Sequence, residues 1–254
     1  MYSLDDIKVV LKNPEQVKHF IEWHGETACV CYNTNPKYAN KVGESVMNDR
    51  HFSGSRGNYF IFEIECPRFT ADQIMRHEVG TFKNCQSQRY VDMDDNFSIY
   101  VPPTVMNEEK LRKEYERYEE QCKAQYKALR MAYNECSVTG EKANDLMRTM
   151  LPIGVKTKLV IGFTIEALEN FMNKRLCTRA DLPIRRVAYL MKNEVVKNEV
   201  EPRYEHLLQP QCKRLLYCPE KHSCNLYPTK TELQHTIELG YQKLFELKEE
   251  GYGN

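Results

Sequence analysis

The sequence predicts a helix-rich fold of the mixed α+β class with a modest sheet. The chain of 254 residues is long enough to bury a sizeable core. One segment alternates apolar and polar residues with the period of a strand, and at least five segments carry helix periodicity or capping signals. Helices should therefore form most of the regular structure.

The strand is predicted at residues 58–67, "NYFIFEIECP". Its apolar side chains fall on one face and its two glutamates on the other, which is typical of a half-buried strand. Pro67 should end it. The apolar face consists of Phe60, Phe62, Ile64 and Cys66.

A helix is predicted next, beginning at Ala71, because Thr70 and Gln73 have the spacing of a capping box. On such a helix Gln73, Arg76 and His77 lie on one face. Glu78 would point about 100° away from His77.

Five further helices and one loop of 20 residues are predicted beyond residue 106. That loop, residues 209–228, is rich in Pro and Cys and is the one obvious internal boundary. The final helix has a capping box at Thr229 and Glu232. The predicted helices are 107–135, about 141–150, a buried helix at 154–176, about 183–200, and 229–250.

Composition excludes several classes of function. Lys plus Arg equals Asp plus Glu, at 36 each, so the overall charge gives no reason to expect a nucleic-acid or membrane partner. The longest apolar run, 159–165, is far shorter than the roughly 20 residues of a membrane span. The ten cysteines without a secretory signal indicate thiols or metal ligands in a reducing compartment. We therefore expect a cytoplasmic globular protein.

Residues 75–90, "MRHEVGTFKNCQSQRY", concentrate anion-binding chemistry in an otherwise neutral chain. Guanidinium groups match phosphate geometry, and a serine hydroxyl adds a donor. The residues alone leave two interpretations open, a solvated surface loop and a site for a phosphorylated ligand.

The order of these residues resembles the signature of the flavin-dependent thymidylate synthases, which is Arg-His-Arg, seven residues, Ser, then x-Arg-Tyr. Arg76 and His77 match its beginning, and Gln73 matches a glutamine three residues before it. Its end is matched by Asn84, Ser87, Arg89 and Tyr90. Further resembling segments are 28–33, 51–53, 148–152 and 168–188, so that the likeness runs from about residue 25 to 200. The sequence is identified as a divergent member of that family.

The resemblance implies an α/β (α+β) fold, an antiparallel sheet flanked by several helices, as in thymidylate synthase complementing proteins. It also implies one domain over residues 1–254, with the Cys-containing loop at 209–228 and the final helix at 229–250. In that family the protein is a homotetramer whose active sites are shared between subunits.

The implied activity is methylation of dUMP at C5 to dTMP. Methylenetetrahydrofolate is the carbon donor, FAD the cofactor and NADPH the reductant. Arg175 and Ser87 are the implied catalytic residues, with Arg175 polarising the uracil ring. The implied substrate-binding residues are Gln73, Arg76, Ser87, Arg89, Arg148 and Arg175. The implied cofactor-binding residues are Ser53, Arg76, His77, Glu78, Asn170 and Arg179.

Taken singly, three of these residues allow structural roles instead. Arg175 could cap its helix, Asn170 could be a solvated position, and Arg148 could pair with Asp145.

The chain departs from the family signature on the side that faces the flavin. Glu78 and Glu166 each replace an arginine, one extra residue falls at Lys83, and Cys85 replaces a glutamate. Such charge reversals weaken the binding of flavin phosphates unless Lys83, Arg179 or a neighbouring subunit compensates. Three alternatives therefore stay open: a flavin-dependent pyrimidine nucleotide hydroxymethylase, a non-catalytic dUMP-binding paralogue without flavin, and a helical interaction protein built on residues 107–135.

A separate set of cysteines could bind a metal. Cys212, Cys218 and Cys224 recur every six residues, and Cys177 follows a predicted helix. Four thiols can form a structural zinc site, but this spacing differs from the usual C-x2-C. We favour unliganded thiols and predict no metal, with zinc at these four residues as the alternative.

Overall fold

The fold is seen in a computed structural model, which describes residues 1–93, 97–198 and 204–249. These ranges contain four strands and ten α-helices. The strands are β1 (Lys8–Leu11), β2 (Phe60–Pro67), β3 (Thr81–Cys85) and β4 (Lys156–Phe163). The helices are α1 (Pro14–Cys31), α2 (Ala39–Asn48), α3 (Arg68–Met75), α4 (Pro103–Met106), α5 (Glu109–Glu135), α6 (Gly140–Met147), α7 (Ile165–Arg175), α8 (Leu182–Asn198), α9 (Gln211–Leu215) and α10 (Lys230–Glu249).

The four strands form one antiparallel sheet in the order β1-β2-β4-β3. Phe62 of β2 and Lys83 of β3 both pair with Ile161, so β4 lies between them. The predicted antiparallel sheet flanked by helices is confirmed.

The alternation predicted for β2 positions the main core. The apolar face of the strand is fully buried, whereas Glu63 and Glu65 are only half-buried. The same core takes in side chains of β4, α1, α3, α7 and α8. A smaller core lies under α5 and α6, around Tyr126 and Met147. The sheet therefore serves as a platform from which α3 and α7 project their ends toward the site.

The single buried helix predicted at 154–176 is wrong. The first part of that segment is β4, one of the two inner strands, and the second part is α7. The apolar run 159–163 covers both faces of β4, and periodicity alone cannot distinguish such a run from part of a buried helix. Thr164 separates the two elements, since its Oγ1 accepts a hydrogen bond from the Ala167 N–H at 3.3 Å.

The predicted start of α3 is also wrong. The helix begins at Arg68, Pro67 is its N-cap, and the Thr70 hydroxyl is buried without a partner among the described residues. The helix ends before Arg76, so His77 and Glu78 lie beyond it and their directions are not set by helix geometry. Asn84, in the second half of the signature, lies in β3.

The other predicted helices are present. Helices α5, α6 and α8 fall within a few residues of the predicted bounds, as does α10. The capping box of α10 is formed, with the Thr229 N–H donating to Glu232 Oε2 at 2.6 Å. Residues 199, 200 and 250, at the predicted ends of α8 and α10, lie outside the described residues. The sequence analysis did not predict β1, α1 or α2.

Candidate active site

A cluster of cationic side chains lies where the ends of α3 and α7 meet β3. Arg76 is the C-cap of α3, Lys174 and Arg175 form the last turn of α7, and Lys83 is on β3. Arg175 Nε donates to Nε2 of His77 at 3.0 Å, and its Nη2 lies 3.5 Å from the Gln73 carbonyl oxygen. The predicted residues Gln73, His77 and Arg175 are thus brought together across 98 to 102 positions of sequence.

A tight turn joins α3 to β3 and fixes His77 against α7. Gly80 has φ of +71°, and a Cβ at this position would lie 2.6 Å from Thr164 Oγ1. Its carbonyl oxygen accepts the Thr164 N–H at 2.9 Å, and Thr81 Oγ1 donates to the His77 carbonyl oxygen at 2.7 Å. Only glycine meets both the conformation and the close approach.

Burial and neighbouring cations hold His77 in its neutral form. Burial first, and then Arg175, Lys174 and Lys83, lower the pKa of His77 from 6.5 to about 4. Because Nε2 accepts from Arg175, the proton of the neutral ring is on Nδ1.

The same cluster is short of negative charge. Burial, followed by the nearby Arg76, lowers the pKa of Arg175. Within residues 1–93, 97–198 and 204–249, no carboxylate forms an ion pair with Arg76, Lys174 or Arg175. The half-buried guanidinium of Arg175 is therefore suited to an anionic or carbonyl-bearing ligand.

The depressed pKa of His77 predicts a pH-dependent stability. Protonation favours the unfolded chain, whose histidine has a pKa near 6.5, so stability should fall as the pH drops from about 6.5 toward 4. Urea unfolding at pH 7 and pH 5 should show a smaller loss for His77→Gln than for the unsubstituted protein. His235→Gln, on the exposed face of α10, is the matched control and should keep the full loss. Equal losses for His77→Gln and the unsubstituted protein would contradict the assignment.

Three further predicted residues form a second group beside α6. Arg89 Nη2 lies 2.7 Å from Glu141 Oε1, and Arg148 Nη2 lies 3.1 Å from Asp145 Oδ1. Asp145 Oδ1 is also 4.0 Å from Arg89 Nε, so one carboxylate bridges the two arginines. Ser87 Oγ accepts the Arg89 N–H at 3.3 Å. Both arginines are about half exposed and present their charge at the surface.

Asn170 belongs to a third group, around a cavity of about 420 Å³. The buried Glu169 accepts a hydrogen bond from Arg50 Nη2 at 2.7 Å and lies 3.9 Å from Arg214 Nε. The cavity is lined by Arg50, Phe52, Glu166, Glu169, Asn170, Asn173, Gln211 and Arg214.

The negative charge of Glu166 is compensated within the chain. Arg56 donates from Nε and Nη2 to its two carboxylate oxygens at 3.2 and 3.3 Å. The sequence leaves Lys83, Arg179 or a neighbouring subunit as candidates for this role, and Lys83 Nζ instead donates to the Met75 carbonyl oxygen at 2.6 Å. Sequence analysis missed Arg50, Arg56 and Arg214, because no local motif marks an ion pair between distant residues.

The remaining predicted residues form no hydrogen bond or ion pair with the cationic cluster among the described residues. Ser53 is exposed in a 3₁₀ turn, and the preceding His51 carbonyl oxygen is 3.0 Å from Nε2 of the buried His24. Glu78 is exposed in the turn after α3. Arg179 lines a separate small cavity together with four cysteines. Across the described ranges, no hydrogen bond or ion pair joins the three groups to one another.

None of the described helices has both the length and the apolar character needed to cross a membrane.

Comparison with known proteins assigns the family. The family described as "Thymidylate synthase complementing protein" matches residues 16–199. A flavin-dependent thymidylate synthase from Nitratidesulfovibrio vulgaris is 31% identical over 192 residues, covering 74% of this chain and 77% of that protein. A second, from Pyrococcus abyssi, is 34% identical over 165 residues, covering 64% of this chain and 65% of that protein.

The solved structures agree on the fold. The UMP/dUMP methylase PolB from Streptomyces cacaoi, bound with 5-Br dUMP, superposes with a TM-score of 0.59 at 16% identity. The match covers 83% of this chain and 99% of PolB. Since the family match spans well over half of the chain, the protein belongs to the thymidylate synthase complementing protein family, that of the flavin-dependent thymidylate synthases.

Proposed function

We propose that this protein methylates dUMP at C5 to form dTMP, with FAD as cofactor, methylenetetrahydrofolate as carbon donor and NADPH as reductant. The observation that carries the proposal is the cationic cluster around Arg175, whose members Arg76, Lys174 and Arg175 form no ion pair with a carboxylate among the described residues. The relatives that bear the name flavin-dependent thymidylate synthase support the same reaction.

Arg175 is the residue that acts on the uracil ring in this proposal. Its guanidinium is held from one side by His77 and the Gln73 carbonyl oxygen, so its direction is fixed before a ligand arrives. A donor fixed in this way stabilises negative charge that develops on a ring carbonyl oxygen as C5 becomes nucleophilic. Neutral His77 accepts from Arg175 and adds no second positive charge at neutral pH.

The second group would hold the nucleotide phosphate. Arg89 and Arg148 share Asp145, and a phosphate dianion can replace that carboxylate with stronger, forked hydrogen bonds. Ser87 would add its hydroxyl.

The donors around Asn170 fit a flavin dinucleotide. Arg50 and Arg214 supply two guanidinium groups to the cavity, and Arg56 cancels the charge of Glu166 beside it. A flavin bound there, with Ser53, Arg76, His77 and Asn170 as further contacts, would supply the redox chemistry of methylene transfer. The charge reversal at Glu166 is therefore compatible with flavin binding.

Removal of Arg56 should weaken flavin binding. Arg56→Ala leaves Glu166 without its partner, so a free carboxylate would face the cofactor phosphates. We expect the Kd for FAD, measured by quenching of flavin fluorescence, to rise several-fold. Arg117→Ala, which breaks an exposed ion pair on α5, is the control and should leave the Kd unchanged. An unchanged Kd for Arg56→Ala would place the flavin elsewhere.

We also propose that the protein is a single domain over residues 1–254, acting in the cytoplasm as a homotetramer with shared active sites. Sharing is supported by the three groups forming no hydrogen bond or ion pair with one another in the described part of one protomer. A second subunit that brings its Ser87, Arg89 and Arg148 to the first subunit's Arg175 would complete a site that neither has alone.

Shared sites predict that two inactive variants rescue each other. Arg89→Ala and Arg175→Ala each disable every site of a homotetramer. Mixed tetramers assembled by co-expression should regain part of the dTMP-forming activity, because some sites then draw both intact arginines from different subunits. If sites lie within one protomer, a site combining both intact arginines cannot form from these two variants, and the mixture should stay inactive.

The absorption spectrum and the product of the purified protein test the proposal. We expect a flavin spectrum that bleaches with NADPH, and dTMP formation from dUMP and methylenetetrahydrofolate. Protein that binds dUMP in calorimetry but never FAD would support a non-catalytic paralogue. A product heavier than dTMP by one oxygen atom would identify a hydroxymethylase. Absence of any nucleotide binding would overturn the proposal.

A further inference from the structure

Three cysteines of the loop after α8 meet a fourth at the end of α7. Cys212, Cys218 and Cys224 come from residues 209–228, and Cys177 follows α7 by two positions. All four line one small cavity of about 50 Å³. Cys218 is buried, Cys177 and Cys212 are half-buried, and Cys224 is at the exposed rim. All four are free thiols.

The loop has little else to hold it in place. Among residues 209–228, every one of which the structure describes, Cys218 is the only buried residue. The regular structure here is one helix of five residues, α9. An ordered segment that lacks a hydrophobic core usually depends on disulfides or a metal.

The backbone of the loop also adopts costly conformations near the thiols. Leu216 and Asn225 have φ of 60° and 65°, in the left-handed region, two residues before Cys218 and directly after Cys224. A β-carbon disfavours this region, and such conformations persist only when the surroundings enforce them.

We infer that Cys177, Cys212, Cys218 and Cys224 bind one zinc ion, which ties the loop to α7. A set of four thiolates is typical of a closed, structural zinc site. Among the described residues, no group of three or more His, Cys, Asp or Glu side chains is already arranged to hold a metal ion. Binding would draw the four sulfur atoms inward and release their four protons to solvent. The site would then carry a net charge of −2 beside Arg179, which lines the same cavity.

The inferred ion would also shape the neighbouring cavity. Asn173 and Gln211 line both the thiol cavity and the cavity that contains Asn170. Zinc would therefore fix α9, with Gln211 and Arg214, against α7. The zinc site itself does not depend on the proposed activity, and metal content tests it separately.

Metal analysis of the full chain tests the inference. Protein purified under reducing conditions without chelator, and then dialysed against zinc chloride, should hold about one zinc per chain by mass spectrometry of the elements. The double variant Cys212→Ser/Cys224→Ser should hold less than a tenth as much. Cys136→Ser, an exposed cysteine after α5, is the control and should keep the ion. Less than half an equivalent in the unsubstituted protein, or equal zinc in the double variant, would overturn the inference.

A second measurement guards against misfolding of the variant. Cobalt added to the unsubstituted, chelator-treated protein should give the intense visible bands of a tetrahedral thiolate site. Zinc should also slow the proteolytic cleavage of residues 209–228. The intact mass of the metal-free protein under non-reducing conditions shows whether these four cysteines form disulfides. If they do, covalent bonds and not zinc hold the loop, and the inference is overturned.

Discussion

Alanine in place of Arg175 should lower kcat for dTMP formation by roughly 10²- to 10³-fold, the usual cost of losing one fixed donor at a developing negative charge. His77 and the Gln73 carbonyl oxygen direct this guanidinium, and no carboxylate in the described part of the chain neutralises it. The Kd for dUMP should rise far less than kcat falls, because the contact matters most when charge develops on the ring. Steady-state kinetics and calorimetry separate the two effects.

Two further variants show whether the loss of kcat comes from the guanidinium of Arg175. Arg175→Lys keeps the positive charge but loses the planar fork, so kcat should lie between the values of the alanine variant and the unsubstituted protein. Arg117→Ala removes an exposed arginine of α5 that pairs with Glu114, and it should leave kcat unchanged. A kcat for Arg175→Ala within threefold of the unsubstituted value would contradict a role at the ring.

Arg175 also shows how far the sequence could predict the site. The order of the motifs predicted that Arg175 and His77 both belong to the site. Their contact spans 98 residues, which no local pattern encodes. Arg56 and Glu166 are 110 residues apart, so the partner of Glu166 could not be inferred from the sequence for the same reason. Charge reversals were visible in the sequence, whereas their compensation depends on which strands and helices become neighbours.

The fold was predictable where periodicity was unambiguous. The alternation of β2 and the capping box of α10 are local signals, and both are confirmed. In the segment that forms β4 and α7, two elements with adjacent apolar runs merged into one apparent helix. A signal that we missed lies in α1, where Pro14 occupies the first turn and buried residues recur with helical spacing. For α1, β4 and α7, the apolar residues can be assigned to one element and one face only when the neighbouring elements that pack on them are known.

The packing of α1 on α2 depends on the absence of a side chain at Gly25. A Cβ there would lie 1.8 Å from the Ala39 carbonyl oxygen and 2.8 Å from the Gly43 nitrogen. Gly43 on α2 must also lack a side chain, since a Cβ there would lie 2.1 Å from the Ile21 carbonyl oxygen of α1. The atoms in the way belong to the backbone, which cannot rotate aside as a side chain can. The two helices therefore cross at a distance that only glycine permits.

Gly25→Ala should accordingly lower the free energy of unfolding by about 2 kcal/mol or more. Alanine is favoured over glycine inside a helix by about 1 kcal/mol, but overpacking against a fixed neighbour costs about 1–3 kcal/mol and sometimes more. Gly240→Ala in α10 isolates the first effect, because nothing lies within 4 Å of its Cβ position. That control should leave the free energy of unfolding unchanged or raise it by up to about 1 kcal/mol. If urea unfolding shows that Gly25→Ala leaves the free energy of unfolding unchanged or raises it, then α1 and α2 can separate at little cost.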